Sequence, residues 1–566
     1  MSDNQQLIRT TTSLCPECLE NISAEIIWDK DEDKIFMIKK CEKHGDFKDR
    51  LSSNPEDYIW QQSFTKEKGS TVDNSTQPID ERDRQKGCPY DCGLCTNHLS
   101  APCICLIDLT NRCNLRCPIC FANSAATGYI YEPTFEELVQ IMQHFRNLKP
   151  VPPPLLQLSG GEPTMRKDLP EIIKKGKELG FVEVMLTTNG VKLAKSLEYT
   201  KKIKEAGTDT VYLSFDGVEP ETWKKTRGVD LYGVKIQAIE NCKEAGITVV
   251  LVPTIVNGVN DHEVTNIMNV AKKYAGTVMG ITFQPVSLTG RISIEDLNSM
   301  RYTTSDLKED INKATGGIID KFYPIATTAK LTRLFSWFDD EPQFSMLSHQ
   351  DCGFATIGVL DENENWQPIE NYFDVDGLID FSNETWDLVA KREIPKPSEL
   401  LKMDFSRMPK MVRLLASFTD EMVNLSYRQI MKAYFLAGLS RYVRGDITKI
   451  VQNKDTFWSF MKMIFNPGLE TVDEFWRAKN LMISSMHFQD AFNFDLERVR
   501  RCLVHYGVID PDDPTKVREI PFCAMNTYHR PIIEERLAKR KEERSNEEID
   551  REVNKLVQKF HRSDVQ

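Results

Sequence analysis

Three cysteines in the segment NRCNLRCPIC are spaced so that they could hold one inorganic centre. Cys113, Cys117 and Cys120 form a Cx3Cx2C pattern directly after the apolar stretch ICLIDLT, which predicts a strand. A loop of this kind gives three thiolates to three irons of a [4Fe-4S] cubane and leaves the fourth iron open to another ligand. The alternative, a zinc knuckle, needs a fourth protein ligand nearby. We therefore predict a catalytic [4Fe-4S] cluster at these cysteines.

Glycine and polar residues follow several further apolar stretches that predict strands. The carboxyl ends of the parallel strands of a β/α barrel meet at one face, so we expect these residues to lie close together. The stretch LLQLS is followed by Gly160, Gly161, Glu162 and Pro163, and the stretch VEVMLT by Thr188 and Asn189. The stretch TVYL is followed by Ser214 and Asp216, and two later strands end near Thr254 and Gln284. Taken singly, Asn189 before a glycine would indicate only a turn, and Ser214 a surface hydroxyl.

The cysteine segment and these strand ends, in this order, resemble the radical S-adenosylmethionine (SAM) superfamily. The resemblance implies that the [4Fe-4S] cluster binds SAM and cleaves it to a 5′-deoxyadenosyl radical. It also implies that the glycine segment approaches the SAM amino group and that the later strand ends contact methionine and ribose. Ile119 departs from the family pattern, because many relatives carry an aromatic residue before the third cysteine, whereas here Phe121 follows that cysteine.

Two further groups of cysteines predict auxiliary [4Fe-4S] clusters. Upstream of the first motif the Cx3Cx2C spacing is repeated by Cys88, Cys92 and Cys95, and a fourth ligand would come from Cys103 or Cys105, with Cys103 preferred from the resemblance. The alternative is that both are buried strand cysteines. Farther along the chain lie Cys352, Cys502 and Cys523. Radical SAM proteins often carry a C-terminal auxiliary cluster with scattered ligands, so we predict a third cluster there, although scattered cysteines are also common in cores.

A fourth metal site is predicted near the N-terminus. Cys15, Cys18, Cys41 and His44 flank the stretch AEIIWDKDEDKIFMIKK, which predicts two strands joined by a charged turn. These ligand types in paired spacing suit one zinc or iron ion in a small knuckle. We expect the ion to stabilise the fold of this module, which is too small for a large core.

Strand-like and helix-like segments alternate from ICLIDLT to MGITFQPV. This alternation predicts the α/β class, and the resemblance implies a radical SAM partial TIM-type (β/α) barrel. The Met- and Phe-rich segments MVRLLASF, IMKAYFLAGLSRYV, FWSFMKMIF and LMISSMHF predict helices. We predict a metal-binding module at 1–62, a linker with an auxiliary cluster at 63–102, the barrel at 103–330, a helical and auxiliary-cluster region at 331–530 and a charged helical tail at 531–566.

The composition excludes some functions. The net charge of the 566 residues is −12 at pH 7, which argues against nucleic acid as the main ligand because phosphate binding needs a basic surface. The first residues are polar, and no apolar run is long enough to span a bilayer. We therefore expect a cytoplasmic protein.

The motifs GCPYDCGLC, NRCNLRCPICFA, LSGGEPT and IPFCAMN resemble one archaeal group within the superfamily, which includes the tetraether lipid synthases. That resemblance implies an enzyme that abstracts hydrogen from terminal methyl carbons of archaeal diether lipids and joins two isoprenoid chains by a C–C bond. An auxiliary cluster would hold the first carbon radical, and the helices of 409–490 would line a lipid channel. It further implies a ferredoxin or flavodoxin as electron donor and peripheral contact with the inner face of the membrane.

The same archaeal group also contains proteins named radical SAM dihydropterin methyltransferases. The alternative function is therefore methylation of 7,8-dihydro-6-hydroxymethylpterin in the biosynthesis of a methanopterin-type cofactor. A pterin would need a smaller and more polar pocket at the same barrel mouth. Side chains that would contact a pterin, or equally a lipid head group, are His487, Asp490, Asn526, His529 and Arg530. His487 and Asp490 would also satisfy each other if both lie on one helix.

Overall fold

The computed structural model describes residues 4–64, 86–93, 98–124, 127–149, 151–290, 297–339, 347–393, 427–444, 480–538 and 540–541. Several predictions fall outside these ranges. They concern Cys95, most of the linker at 63–102, the segments MVRLLASF and FWSFMKMIF, and the tail beyond Lys541. Within the described part of the chain, every helix is too short or too polar to cross a membrane.

The N-terminal module is a four-stranded antiparallel sheet followed by one helix. The two strands predicted around the charged turn are present and pair with each other, and Ile26 lies opposite Met37. Ala24, Ile26, Ile35 and Met37 alternate with polar residues and bury one face of the sheet against Tyr58. The elements are β1 Gln5–Leu14, β2 Asn21–Asp29, β3 Lys34–Cys41, β4 Gly45–Ser52 and α1 Pro55–Gln62.

The central part of the chain alternates strands with helices, as its sequence predicts. The strands are β5 Ile104–Asp108, β6 Tyr129–Ile130, β7 Leu155–Ser159, β8 Glu183–Thr188, β9 Thr210–Ser214, β10 Thr248–Val252, β11 Thr254–Ile255 and β12 Val278–Pro285. The helices are α2 Phe135–Arg146, α3 Leu169–Glu178, α4 Val191–Lys195, α5 Leu197–Ala206, α6 Pro220–Arg227, α7 Tyr232–Ala245, α8 Val264–Lys273, α9 Leu297–Met300 and α10 Thr304–Ala314.

The strands β5, β7, β8, β9, β10 and β12 are parallel neighbours in that order. Helices cover one face of this sheet because their apolar stripes face it. In α2, for example, Leu138, Ile141, Met142 and Phe145 are buried, and a capping box between Thr134 and Glu137 begins the helix. The predicted α/β class with a parallel sheet is confirmed.

The chain from Tyr323 onwards adds strands to both edges of the sheet, and its last strand pairs with β6 in a separate two-stranded sheet. Its strands are β13 Tyr323–Pro324, β14 Gly353–Leu360, β15 Trp366–Pro368, β16 Asn480–Met486, β17 Val504–Ile509, β18 Val517–Pro521 and β19 Arg540–Lys541. Its helices are α11 Ala329–Asp339, α12 Val375–Lys391, α13 Tyr427–Gly438, α14 Leu496–Arg500, α15 Phe522–Ala524 and α16 Arg530–Arg536. The resulting 13-stranded sheet runs in the order β13-β14-β16-β12-β10-β9-β8-β7-β5-β17-β18, with β11 and β15 paired beside it.

The helix predicted for LMISSMHF is wrong, because this segment forms β16. It pairs in parallel with β12 and antiparallel with β14. Leu481 and Ile483 enter the core beneath the sheet, while Met482, Ser484 and Met486 face a cavity on the other side. A strand with both faces buried has few polar residues, so its sequence resembles that of a buried helix. The helix predicted for IMKAYFLAGLSRYV is confirmed as α13, which packs with α11 and α12 around Phe381.

Candidate active site

The carboxyl ends of the parallel strands open on a cavity of about 690 Å³. Side chains from successive strands line it, among them Ser159, Thr188, Ser214, Thr254 and Gln284. The connection between β5 and β6 closes one side and carries the three cysteines of the first motif. The strand order thus brings together residues that are more than 150 positions apart in the chain, as the sequence predicts.

The glycine segment after β7 holds the beginning of the cysteine loop. The amide of Gly161 donates to the carbonyl of Thr110 at 2.7 Å, and the amide of Glu162 donates to the carbonyl of Arg112 at 2.9 Å. Gly160 has φ of 125°, a conformation that favours glycine, and a Cβ on Gly161 would overlap the Arg112 carbonyl. The glycines therefore let two backbone segments approach each other, and both also line the cavity.

Cys113, Cys117 and Cys120 all line this cavity. Burial raises the pKa of the Cys113 thiol well above its ordinary value and raises that of Cys117. The three sulfurs are not all within 4.8 Å of one another, in contrast to the ligand atoms of the N-terminal site. Three thiols on one loop with this wider spacing fit a multinuclear cluster better than a single zinc ion.

Most of the side chains predicted to contact SAM also line the cavity. They are Gly160, Gly161, Thr188, Asn189, Ser214, Thr254 and Gln284. Glu162, Pro163 and Asp216 are not in its wall. The carboxylate of Glu162 is fully buried and accepts hydrogen bonds from the Thr188 hydroxyl at 2.7 Å and the Asn189 amide at 2.8 Å. Glu162 therefore holds the end of β8 in place behind the cavity.

Two family models match parts of this chain. The model described as Radical SAM superfamily matches residues 107–271, which include the cysteine loop, and the HMPTM N-terminal zinc ribbon domain matches residues 7–53. A protein of Methanocaldococcus jannaschii named 7,8-dihydro-6-hydroxymethylpterin dimethyltransferase is 39% identical over 535 residues, covering 94% of this chain and 96% of that protein. The chain belongs to the radical SAM superfamily.

Other proteins are similar to shorter parts of the chain. A probable GTP 3′,8-cyclase of Methanococcus aeolicus is 34% identical over 218 residues, which cover 37% of this chain and 66% of that protein. Among solved structures, SuiB of Streptococcus suis bound to SAM matches 39% of this chain and 46% of its own, with 19% identity and a TM-score of 0.29. Family membership identifies the protein as a radical SAM enzyme and implies a [4Fe-4S] cluster and SAM as cofactors.

Two basic residues of the radical SAM site are not evident from the sequence. Arg227 at the end of α6 lines the cavity and donates to both carboxylate oxygens of Asp216, at 2.5 and 2.9 Å. Burial raises the pKa of Cys117, while the adjacent Arg227 acts in the opposite direction and favours the thiolate. Asp216, one of the strand-end residues predicted to contact SAM, is bound to this arginine, and its contact with SAM stays a prediction.

Lys235 on α7 is the second of these residues. Its ammonium group donates to the carbonyl of Asn189 at 2.6 Å and to the hydroxyl of Ser214 at 2.9 Å, and burial lowers its pKa to about 7. It therefore connects the ends of β8 and β9 behind the cavity. Arg227 and Lys235 lie on helices that also carry other basic residues. The sequence therefore does not distinguish these two site residues from the lysines beside them.

The scattered cysteines Cys352, Cys502 and Cys523 come close together in space. Burial, and then the charges of Cys523 and Cys352, raise the pKa of Cys502. The amide of Gln489 donates to the sulfur of Cys523 at 3.4 Å, and Gln489 also lines the cavity. The three cysteines therefore lie directly behind the cavity wall. As in the first motif, the three sulfur atoms do not all lie within 4.8 Å of one another.

The upstream motif is described in part. Cys88 and Cys92 share a hydrogen bond that lowers the pKa of Cys88, while their predicted partner Cys95 lies outside the described residues. Cys103 and Cys105 are both buried. Cys105 packs in the core between the sheet and the helices, whereas Ile104 and Leu106 on the opposite face of β5 line the cavity. The fourth ligand of this cluster stays a prediction.

The N-terminal ligands form a tight group. The ligand atoms of Cys15, Cys18, Cys41 and His44 all lie within 4.8 Å of one another, and the Nδ1 atom of His44 is 3.5 Å from the sulfurs of both Cys15 and Cys41. A backbone hydrogen bond from Lys43 lowers the pKa of Cys41 to about 6, which favours the thiolate that binds metal. Four such ligands suit a single tetrahedral ion, in agreement with the zinc ribbon match.

The polar residues predicted to contact a pterin are mostly engaged elsewhere. Asn526 lines the cavity, but the ring of His529 contacts the carbonyl of Pro89 at 2.8 Å. Arg530 pairs with Asp108 and with Glu534, the latter at 2.7 Å. The prediction that His487 and Asp490 share a helix is wrong, since both lie in the connection after β16. They also do not pair, because Asp490 binds Arg301.

Proposed function

We propose that this radical SAM enzyme acts on a long apolar chain, abstracting hydrogen from terminal methyl carbons of archaeal diether lipids and joining two isoprenoid chains by a C–C bond. The observation that carries the proposal is the apolar character of the cavity beyond the cysteine loop. Apolar side chains from the C-terminal part of the chain line it, among them Ile325, Leu331, Phe373, Leu378, Ile379, Met482 and Met486. Flexible methionines and aromatic rings suit a saturated chain.

A second candidate is methylation of a dihydropterin. It is supported by the name of the Methanocaldococcus jannaschii relative, which is 39% identical over almost its whole length, and no relative reported above is named for a lipid. The apolar part of the cavity supports the lipid proposal, whereas a pterin ring would need converging hydrogen-bond partners, which polar lining residues such as Gln157, Tyr212 and Gln489 could also supply. Of the five side chains predicted to supply them, only Asn526 lines the cavity.

We assign the cofactor-binding roles as follows. Cys113, Cys117 and Cys120 hold the [4Fe-4S] cluster, which supplies the electron that cleaves bound SAM to a hydrogen-abstracting radical. Gly160 and Gly161 bring the backbone close to SAM, and Asn189, Ser214, Thr254 and Gln284 orient it from successive strand ends. Arg227 places a positive charge beside Cys117 and stabilises the ligating thiolate.

The other metal sites complete this proposal. One auxiliary cluster is held by Cys352, Cys502 and Cys523. Another is held by Cys88, Cys92, Cys95 and Cys103. The four N-terminal ligands hold one zinc or iron ion. The first of these sites lies behind Gln489 and Phe522, both of which line the cavity. The electron donor is a small protein such as a ferredoxin or flavodoxin.

One experiment separates the two functions. The enzyme is reconstituted with iron and sulfide without oxygen and incubated with dithionite, SAM and either a diether lipid or 7,8-dihydro-6-hydroxymethylpterin, and the products are identified by mass spectrometry. Coupling two sp3 carbons removes two hydrogen atoms, so two SAM molecules each accept one electron and release 5′-deoxyadenosine with one substrate hydrogen. We expect a coupled lipid and 5′-deoxyadenosine in this ratio. A methylated pterin with no lipid product would refute the lipid proposal.

A further inference from the structure

Two buried histidines meet on the side of the sheet that the helices cover. His505 on β17 pairs in register with Cys105 of β5, which packs in the core between the sheet and the helices. His98 lies in the segment before β5, and the centres of the two imidazole rings are 4.5 Å apart. His505 is 1% and His98 is 7% exposed. Neither residue lines the cavity of the radical SAM site, so the functions assigned above leave this pair unexplained.

Three atoms that could bind a metal converge at the histidines. The Nε2 atoms of His98 and His505 are 3.0 Å apart, and they lie 2.9 Å and 3.0 Å, respectively, from the carbonyl oxygen of Cys502. The three atoms therefore form a nearly equilateral triangle. The hydroxyl of Ser100 is beside it, 2.9 Å from the same carbonyl oxygen and 3.5 Å from Nε2 of His98.

Protons alone do not satisfy these contacts. A neutral imidazole carries a proton on only one of its two nitrogens, and burial, followed by the charge of His505, lowers the pKa of His98 to about 3. If only one Nε2 atom carries a proton, the lone pair of the other faces the carbonyl oxygen of Cys502. If both carry one, two N–H groups and the Ser100 hydroxyl compete for one carbonyl oxygen, which has two lone pairs. A cation would instead accept lone pairs from all three corners of the triangle.

The size of the triangle fits a single metal ion. Ligand atoms bound about 2.1 Å from one ion lie about 3.0 Å apart when their bonds meet at a right angle, and about 3.4 Å apart in a tetrahedron. The contacts of 2.9 and 3.0 Å between His98, His505 and Cys502 match the right-angled arrangement. Imidazole ligands in this arrangement suit a divalent transition metal such as Fe²⁺ or Ni²⁺.

A carboxylate lies behind His505, on the side away from the triangle. Glu519 on β18 is 2% exposed, its Oε2 atom is 3.9 Å from Nδ1 of His505, and its Oε1 atom is 3.0 Å from Nε2 of His144. Burial opposes ionisation of Glu519, but hydrogen bonds from the two histidines outweigh it and lower the pKa of this carboxyl. A histidine that binds a metal commonly gives its other N–H to a carboxylate, which orients the ring. Glu519 is placed for this role and supplies a compensating negative charge.

We propose that His98, His505 and the carbonyl oxygen of Cys502 bind one divalent transition-metal ion, with Ser100 beside it and Glu519 orienting His505. The site uses the main-chain oxygen of Cys502 and not its sulfur, so it is separate from the proposed auxiliary cluster. The ion would join the segment before β5 to the start of β17, next to that cluster. This inference does not depend on the identity of the organic substrate.

The test uses Ni²⁺ as a probe and untagged full-length enzyme whose clusters have been reconstituted. Equilibrium dialysis measures the nickel bound per chain, and X-ray absorption at the nickel edge identifies the ligand atoms. We expect one tightly bound Ni²⁺ with nitrogen and oxygen ligands that include imidazole. Loss of a carboxylate partner typically weakens metal binding about 10- to 100-fold, so Glu519→Gln should have an effect in this range. His98→Asn and His505→Asn each remove a ligand itself and should weaken binding at least about 100-fold.

His529→Asn is the matched control. This histidine is also buried and contacts one carbonyl oxygen, that of Pro89 at 2.8 Å, so its loss should leave nickel binding unchanged. Equal nickel binding by the unmodified enzyme and by folded His98→Asn, or sulfur among the nickel ligands, would overturn the assignment. If a melting curve shows that a histidine variant does not fold, Glu519→Gln and the absorption spectrum decide. An unchanged affinity in Glu519→Gln without an imidazole signal would then refute the site. The assay contains no lipid, so neither result bears on the lipid proposal.

Discussion

Arg301 makes a buried contact between the N-terminal module and the rest of the chain, and its removal should loosen that contact strongly. Its guanidinium group is 2.9 Å from the carboxylate of Asp49 on β4 and 2.8 Å from that of Asp490 after β16, and all three side chains are at most 4% exposed. Burial opposes ionisation of Asp490, but Arg301 outweighs it and lowers the pKa of that carboxyl. The arginine therefore keeps a buried negative charge stable.

Arg301→Met leaves both carboxylates buried with their main cation removed. Breaking a buried ion pair from one side costs about 3–5 kcal/mol, because the remaining charge is uncompensated. The free energy of local opening should fall by this amount, so amide hydrogen exchange in β4 and in residues 487–495 should accelerate by roughly 10²- to 10⁴-fold. Exchange followed by mass spectrometry at peptide resolution measures the effect.

The pH dependence and a control variant sharpen this prediction. In Arg301→Met the carboxyls of Asp49 and Asp490 should have pKa values above those of the unfolded chain. They then bind protons in the folded state as pH falls from 7 towards 5, so the loss of stability caused by the substitution should shrink over this range. Arg50→Met removes contacts with Asp306 and with the Arg301 carbonyl, in which the Arg50 and Asp306 side chains are 25% and 21% exposed, and should cost less than the buried pair, about 1 kcal/mol. If Arg301→Met accelerates exchange no more than Arg50→Met, the reasoning from burial is wrong.

Further predictions concern the metal sites. Replacing all three cysteines of the first motif by alanine should abolish 5′-deoxyadenosine formation from SAM, because the ligands of the open cluster are lost; normal cleavage in this variant would contradict the assignment. Reconstituted enzyme should contain clearly more than four irons per chain by metal analysis, and a value near four would exclude the auxiliary clusters. Cys92→Ala should still cleave SAM but lose the coupled lipid, provided that a melting curve shows intact folding; coupling at the original rate would limit that cluster to a structural or electron-relay role. Gly161→Ala should lower cluster content and SAM cleavage at least about tenfold, because its Cβ would displace the cysteine loop. Gly246→Ala strains a left-handed φ of 72° at the end of α7 but its Cβ meets no other atom, so it should leave both unchanged in folded protein.

Ligands close together in sequence could be recognised from the sequence alone. The cysteines of the first motif and the four N-terminal ligands are joined by short loops, so their spacing already restricts how far apart they lie. The grouping of the strand-end residues can also be predicted from the sequence. A repeated strand and helix pattern predicts a parallel sheet, and the carboxyl ends of its strands lie at one edge. The positions of Asn189, Ser214, Thr254 and Gln284 around one cavity follow from that rule.

Contacts between distant segments depended on the tertiary structure. Cys352, Cys502 and Cys523 lie next to β14, β17 and β18, which are at opposite ends of the strand order, and no local pattern encodes their approach. The sequence LMISSMHF indicates a helix, but the segment forms a strand with both faces buried. That burial depends on the neighbouring strands and helices and not on the segment itself. Arg301 and His505 likewise gain their roles only from what surrounds them, since burial and the position of partner groups are properties of the folded chain and not of the residue type.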